Sequence, residues 1–511
     1  MMASSSSQEA PPPQHEWYYC GFRLADLPLE LIQMIGYHVL WPHGFRQRSR
    51  WGLGQKDLSH LSRTCKLFQA LLQPMLFQQF SLVDRYQWPN GTLIRLVAAL
   101  KERPDLAQRM KSVSIYVNWS GQGEAPSPDG PVDAARLAAL ARKVIDDGLV
   151  KLVDPCSSSS SLRAARKHLM PQYYWEGDDY TFRVLVQLVL LHAPNVELLH
   201  LGMGFLRNHV YSSKAQVLPN LKYLISEPNP FHHYEYDEAE FFGGPDVLYD
   251  LNIKTPNLQE LWIPTVHSFP EETVRDNCSL VRLRRLAITL YGSYAKSKTV
   301  ENILHQCPGL EAISLSLSMH FSAGFVGIIC QELHARADTL RTIQLDVDSP
   351  LGVGNDYADD VWSYFQNFNH LEILEISSYL LEAWCSQGAH RGYTISAFLP
   401  ANMQQLTIWL ANVDHCPCLL DALADFMFVH LEQGAFPRLE KIVLAPPPAR
   451  LSLKADTDTQ FANAIRAWEA VVRDRRGGVD DDDEMKPTCG RRVEIEWTSG
   501  LWAGEVFDVG S

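Results

Sequence analysis

The chain has 511 residues, enough for two or three ordinary domains or for one elongated repeat array. A hydrophobic content of 46% with 10% aromatic residues excludes wholesale disorder. Its 45 Lys and Arg against 59 Asp and Glu leave a formal charge of −14, which opposes general nucleic-acid binding.

Residues 1–16 are Ser- and Pro-rich, lack the basic-then-apolar order of a secretory signal, and are expected to be a disordered tail. Residues 17–85 read as a helical domain. Pro28 suits the first turn of a helix, where a missing N–H costs nothing, and Leu31, Ile32, Ile35 and Val39 form an apolar stripe behind it. Asp57 is a good N-cap for a second helix, in which Leu58, Leu61, Cys65, Phe68 and Leu72 recur at helical spacing. Between the two lies Trp41 to Lys56, with Arg46, Arg48 and Arg50, read as a solvated loop.

Residues 86–180 read as a linker with an irregular first repeat. It holds a Gly-, Pro- and Ser-rich loop from Asn118 to Pro131, a helix from Val132 to Asp147 and a flexible insertion from Ser157 to Ser161. The most apolar stretch, Val184 to Ala193, is far too short to span a bilayer, so no membrane partner is expected.

From 181 to 450 one pattern returns: a hydrophobic residue, two others, a hydrophobic, one more, a hydrophobic. It occurs as Val196/Leu199/Leu201, Leu258/Leu261/Ile263, Leu283/Leu286/Ile288, Leu310/Ile313/Leu315 and Leu340/Ile343/Leu345. It continues as Leu371/Leu374/Ile376, Met403/Leu406/Ile408 and Leu439/Ile442/Leu444, with a weaker copy at Leu221/Leu224 and an early one at Met110/Val113/Ile115. Alternate side chains of a strand share a face, so Leu286 and Ile288 face one way while Arg285, Ala287 and Thr289 face the other. One such strand cannot bury its apolar face alone, whereas stacked copies make a continuous parallel sheet covered by helical connections. Phe182 to His192, Val300 to His305, Phe325 to His334 and Leu419 to Leu431 carry the helical spacing those connections need. The period is uneven: Val196 to Leu221 is 25 residues and Leu221 to Leu258 is 37. The fold class is therefore α/β, an irregular solenoid of parallel strands and helices, with an ordinary parallel-sheet domain as the alternative. Residues 451–511 add a helix from Phe461 to Arg475, an acidic run at Asp480 to Glu484 and a closing strand from Arg492 to Trp497.

Leu24-Ala25-Asp26-Leu27-Pro28-Leu29-Glu30-Leu31-Ile32-Gln33-Met34-Ile35, then Asp57 to Phe68, then Leu71-Leu72-Gln73-Pro74-Met75-Leu76-Phe77, resemble an F-box. The resemblance covers only this N-terminal segment, and its pairing with a leucine-rich-repeat-like array behind a three-helix unit is most similar to the fungal F-box proteins. That resemblance implies a substrate adaptor of a Skp–cullin–F-box ubiquitin ligase, docking on a Skp-type adaptor and through it on a cullin. Carried over, the adaptor-binding residues are Leu27, Pro28, Leu31, Ile35, Leu58 and Leu61. The insertion at 41–56 departs from the family's usual short connection. The alternative is a non-catalytic repeat scaffold whose F-box-like helices serve only as a terminal cap.

A target would bind the outward side of the repeat strands, at Trp262, Arg285, Asp346, Glu375 and Trp409, since an open tryptophan favours a binding hot spot. Gly-Lys phosphate loops, H-E-x-x-H and G-x-S-x-G are absent from the sequence, so no catalytic residue and no cofactor is expected. No metal is expected either: His415-Cys416-Pro417-Cys418 lacks a second ligand pair and reads as incidental thiols. Ten scattered cysteines without an export signal point to reduced thiols and a cytoplasmic or nuclear location.

Overall fold

The computed structural model of the protein describes residues 27–40, 53–84, 90–117, 179–202, 218–227, 255–266, 280–291, 297–318, 323–347, 365–381, 399–409, 423, 426, 436–445 and 494–497. The expected tail at 1–16, most of the insertion at 41–56, and the helices at 132–147 and 461–475 lie outside them. So do the thiols at 416 and 418 and the acidic run at 480–484. The chain divides into two compact units, one of Met1–Gly44 with Leu53–Leu76, the other of Phe45–Gly52 with Phe77–Ser511.

The first unit holds α1 (Leu29–Leu40), α2 (Leu53–Ser62) and α3 (Lys66–Leu76). Pro28 sits just before α1 and its carbonyl accepts the N–H groups of Leu31 and Ile32, at 3.0 and 3.1 Å. The helix α2 starts four residues before the expected cap, so Asp57 lies exposed inside it. Its end is fixed by side chains, Ser62 Oγ donating to the Ser59 carbonyl and Thr64 Oγ1 to that of Leu61, both at 2.8 Å. Ile32, Leu58, Phe68, Leu72 and Met75 close a core of their own. Gly36 lets the helices approach, because a Cβ there would lie 2.6 Å from Leu72 Cδ2.

Among the described residues the second unit has one sheet of twelve strands in sequence order, with every neighbouring pair parallel. Its elements begin with β1 (Gln79–Asp84), α4 (Asn90–Glu102), α5 (Pro104–Ala107), β2 (Ser112–Val117), α6 (Asp179–His192), β3 (Leu198–Gly202) and β4 (Tyr223–Glu227). They continue with β5 (Glu260–Val266), β6 (Arg285–Tyr291), α7 (Ser297–Gln306), β7 (Ala312–Ser318), α8 (Ala323–His334) and β8 (Thr342–Val347). The last are β9 (Ile373–Ser377), β10 (Gln405–Trp409), β11 (Lys441–Ala445) and β12 (Glu494–Trp497). This is the solenoid-like repeat that the recurring pattern predicts. The sheet starts earlier than expected, since β1 lies within the segment assigned from sequence to the helical domain.

Two apolar ladders run across the strands. Val113, Leu199, Leu224, Leu261, Leu286, Ile313, Ile343, Leu374, Leu406 and Ile442 are in register, and all are buried. The second ladder includes Ile288, Leu315, Leu345, Ile376, Ile408 and Leu444, with Ser226 opposite Leu201 marking the weak copy. Helix residues close this core, among them Leu188 and Val189 of α6, Ile303 of α7 and Leu333 of α8. Most units are introduced by a turn in which the first apolar residue donates its N–H three residues back, as from Leu258 to the Thr255 carbonyl at 3.0 Å, while Leu340 reaches four back to Arg336.

The turns themselves are laddered. Asn195 Nδ2 donates to the Gln108 carbonyl at 2.9 Å, Asn220 Nδ2 to Asn195 Oδ1 at 3.1 Å, and Asn257 Nδ2 to the Pro219 carbonyl at 2.6 Å. Where Pro-Gly replaces Pro-Asn, space is the reason. A Cβ on Gly309 would lie 2.9 Å from the Val281 carbonyl, and Arg284 Nη1 donates to the Gly309 carbonyl at 3.0 Å. Gly309→Val is therefore expected to destabilise the chain by about 1–3 kcal/mol, through overpacking against backbone, as measured by urea unfolding.

Just before several of the strands stands a charged residue whose sign is opposite to that of its neighbour on the adjacent strand. Glu197 bridges Lys111 at 2.5 Å and Lys222 at 2.9 Å, Arg284 pairs with Glu311 at 3.3 Å, and Arg341 with Glu372 at 2.6 Å. Burial pushes the Glu197 carboxyl up, but hydrogen bonds from the two lysines outweigh it and hold its pKa below the ordinary value. Such partly exposed pairs add little stability individually, yet opposite signs on successive strands favour the observed neighbours over like-charge stacking.

Candidate functional site

Two surfaces carry the residues singled out from sequence. The first is on the helical unit. Ile32 and Gly36, one turn apart, are buried against α2 and α3, while Leu31 and Met34, one turn apart, point away from that core. Leu31 is 41% exposed and Met34 55%, and Leu29 in the first turn and Leu67 at the start of α3 are also open. A helix of this size with a filled core has no internal use for a second apolar side.

Pro28 and Leu31 are exposed as a docking role needs, and Ile35 is half-buried. Leu27 and Leu61 are partly buried and pack against the three-helix core. Leu58 is 0% exposed, so its expected contact with an adaptor is replaced by a role in the core. Leu29 and Met34 were not among the residues expected to bind. Met34 falls outside the Leu31/Ile35 spacing, and an apolar residue off the main stripe is the signal that would have found it.

The second surface is the outward side of the sheet, where side chains alternate with the core ladders. Trp262 is half-buried, in register with Ile225 of β4 and Ala287 of β6. Arg285, also half-buried, is in register with Glu260 and Ala312, and its Nη1 is buried without a hydrogen-bond partner. Asp346 and Trp409 differ from the expectation of open side chains, for each is 6% exposed. Asp346 accepts a hydrogen bond from Ser316 Oγ at 3.2 Å. Trp409 packs with Val443 and Ala445 on the next strand, where small neighbours leave room for the indole. Further along, Ser114 Oγ and His200 Nδ1 lie 3.1 Å apart in a buried pair that the repeat pattern gives no hint of.

Glu375 stands between Gln344 and Thr407, both buried, in the same register row. Part of its surface stays accessible, yet protein surrounds the carboxyl almost completely, and burial raises its pKa from 4.5 to about 7. A carboxyl with a raised folded-state pKa binds more protons folded than unfolded, so it stabilises the fold at low pH and loses that advantage as pH rises through 7. Stability should fall by roughly 3 kcal/mol between about pH 4.5 and 7 from this group. Glu375→Gln should flatten that part of the profile in urea titrations at several pH values.

Among the described residues no helix is long and apolar enough to cross a membrane. No family model matches the chain, and no curated protein matches it.

Proposed function

We propose that the protein is a substrate adaptor of a Skp–cullin–F-box ubiquitin ligase, acting in the cytoplasm or nucleus and carrying out no chemistry itself. The ordered F-box-like pattern supplies the class, and the helical unit supplies the means. Leu31 and Met34 carry the reading: they are apolar, open, and lie on a helix whose other side is already buried. Docking of Pro28, Leu29, Leu31 and Met34 onto a Skp-type adaptor would remove that apolar area from water, at about 25 cal/mol per Å². The repeat unit then holds a protein target on the outward side of its sheet. Trp262 and Arg285 are the favoured contacts there, because they keep exposure on a face where Asp346 and Trp409 do not.

The test mixes the full chain with a purified Skp-type adaptor and follows the pair by size-exclusion chromatography. A stable complex is expected. If the folded chain elutes alone at micromolar concentration, the ligase reading fails and the helices act as a cap.

A further inference from the structure

On the helical side of the sheet, α7 and α8 bring three side chains of metal-ligating chemistry together. Glu301 and His305 lie one turn apart on α7, and Glu332 comes from α8. Their ligand atoms all lie within 4.8 Å of one another, with His305 Nε2 3.8 Å from Glu301 Oε1. Glu332 and Glu301 are half-buried, and His305 is exposed.

From this geometry we infer that Glu301, His305 and Glu332 form a binding site for a divalent transition ion of the zinc class, clipping α7 to α8. The donor set selects the class. Imidazole nitrogen with carboxylate oxygen suits zinc and its neighbours, whereas magnesium and calcium favour oxygen throughout. Ligands 2.0–2.1 Å from a tetrahedral ion sit about 3.3 Å apart, so the three atoms must close by up to about 1.5 Å. Rotation about side-chain bonds on two packed helices supplies that movement. Three protein ligands leave a fourth position for water.

Two features favour a cation here. The carboxylates of Glu301 and Glu332 repel each other across less than 5 Å, and an ion between them turns that repulsion into attraction. The second feature is Arg336, just past α8, which fixes the frame of the site. Its Nη2 donates to the carbonyls of Leu304 and His305, at 3.1 and 3.5 Å. That contact also ties the end of α7 to the segment after α8, holding the ligands' backbones in place.

The full chain, stripped with a chelator, is titrated with zinc chloride by calorimetry, and its unfolding is followed with and without the ion. One equivalent of zinc is expected to bind and raise the unfolding midpoint, with magnesium inert at the same concentration. His305→Ala and Glu332→Gln should each weaken zinc binding at least tenfold. Both sites lie at the surface or partly so, and circular dichroism reports whether each variant is folded. Wild-type affinity in either folded variant overturns the site. So does zinc binding that survives His305→Ala but is lost in Cys416→Ser, which assigns the ion to the thiols. Absence of stoichiometric binding to the wild-type chain overturns it as well. None of these outcomes depends on adaptor docking.

Discussion

Changing Leu31 and Met34 together to Asp is expected to abolish capture of a Skp-type adaptor by the full chain, with no loss of folded stability. Both side chains point away from the three-helix core, at 41% and 55% exposure, so charge there meets water when the chain is alone. In a complex the same carboxylates would be buried without partners. Apolar anchors at the centre of an interface cost about 2 kcal/mol or more when truncated, roughly a thirtyfold loss each. Buried charges cost more, and the double change should leave no measurable binding. Leu58→Ala is the necessary contrast. Leu58 is fully buried with Ile32 and Phe68, so its truncation should cost about 2–5 kcal/mol of stability in the helical unit. Any loss of binding in that variant should track unfolding. Surface plasmon resonance on the folded fraction separates the two, and undiminished binding by the Asp double variant would refute docking through α1.

The second large effect is expected in the repeat. Phe368→Ala should destabilise the chain by about 3–5 kcal/mol, read from urea denaturation. Phe368 is fully buried in the turn before β9, stacked on Phe365 with ring centroids 5.7 Å apart. His334 at the end of α8 meets it edge-on at 6.0 Å. Removing the ring leaves a cavity that neither Phe365 nor the helix end can fill, because both are held by their own backbone bonds. In a stacked array each unit leans on its neighbours, so the damage should appear first in β8 and β9, as local loss of amide protection in hydrogen exchange. A change below about 1 kcal/mol would mean that the aromatic pair does not bear on this part of the core.

The sheet was legible from sequence because its cause is local. Leu286 and Ile288 share a face through the pleat alone, and the Pro-Asn turns ahead of Val196, Leu221 and Leu258 mark where each strand begins. The closing strand at Glu494–Trp497 was legible for the same reason and pairs with β11 as its alternation requires. The first strand was not. Gln79–Asp84 lacks the preceding apolar turn, and it becomes a strand by pairing with β2.

Burial was the part that sequence left open. Periodicity assigns a residue to a face, but what meets that face comes from far along the chain. Leu58 and Leu31 look alike in a helical pattern, yet Phe68 and Leu72 cover the one and leave the other in water. Trp262 and Trp409 occupy outward positions on their strands. Trp409 is enclosed because Val443 and Ala445 arrive beside it on β11, while Trp262 keeps part of its surface. Glu301, His305 and Glu332 are likewise dispersed in the sequence, and the packing of α7 on α8 alone brings them within reach of one ion. Local periodicity fixed which side each residue takes; only tertiary contacts decided which sides remain free.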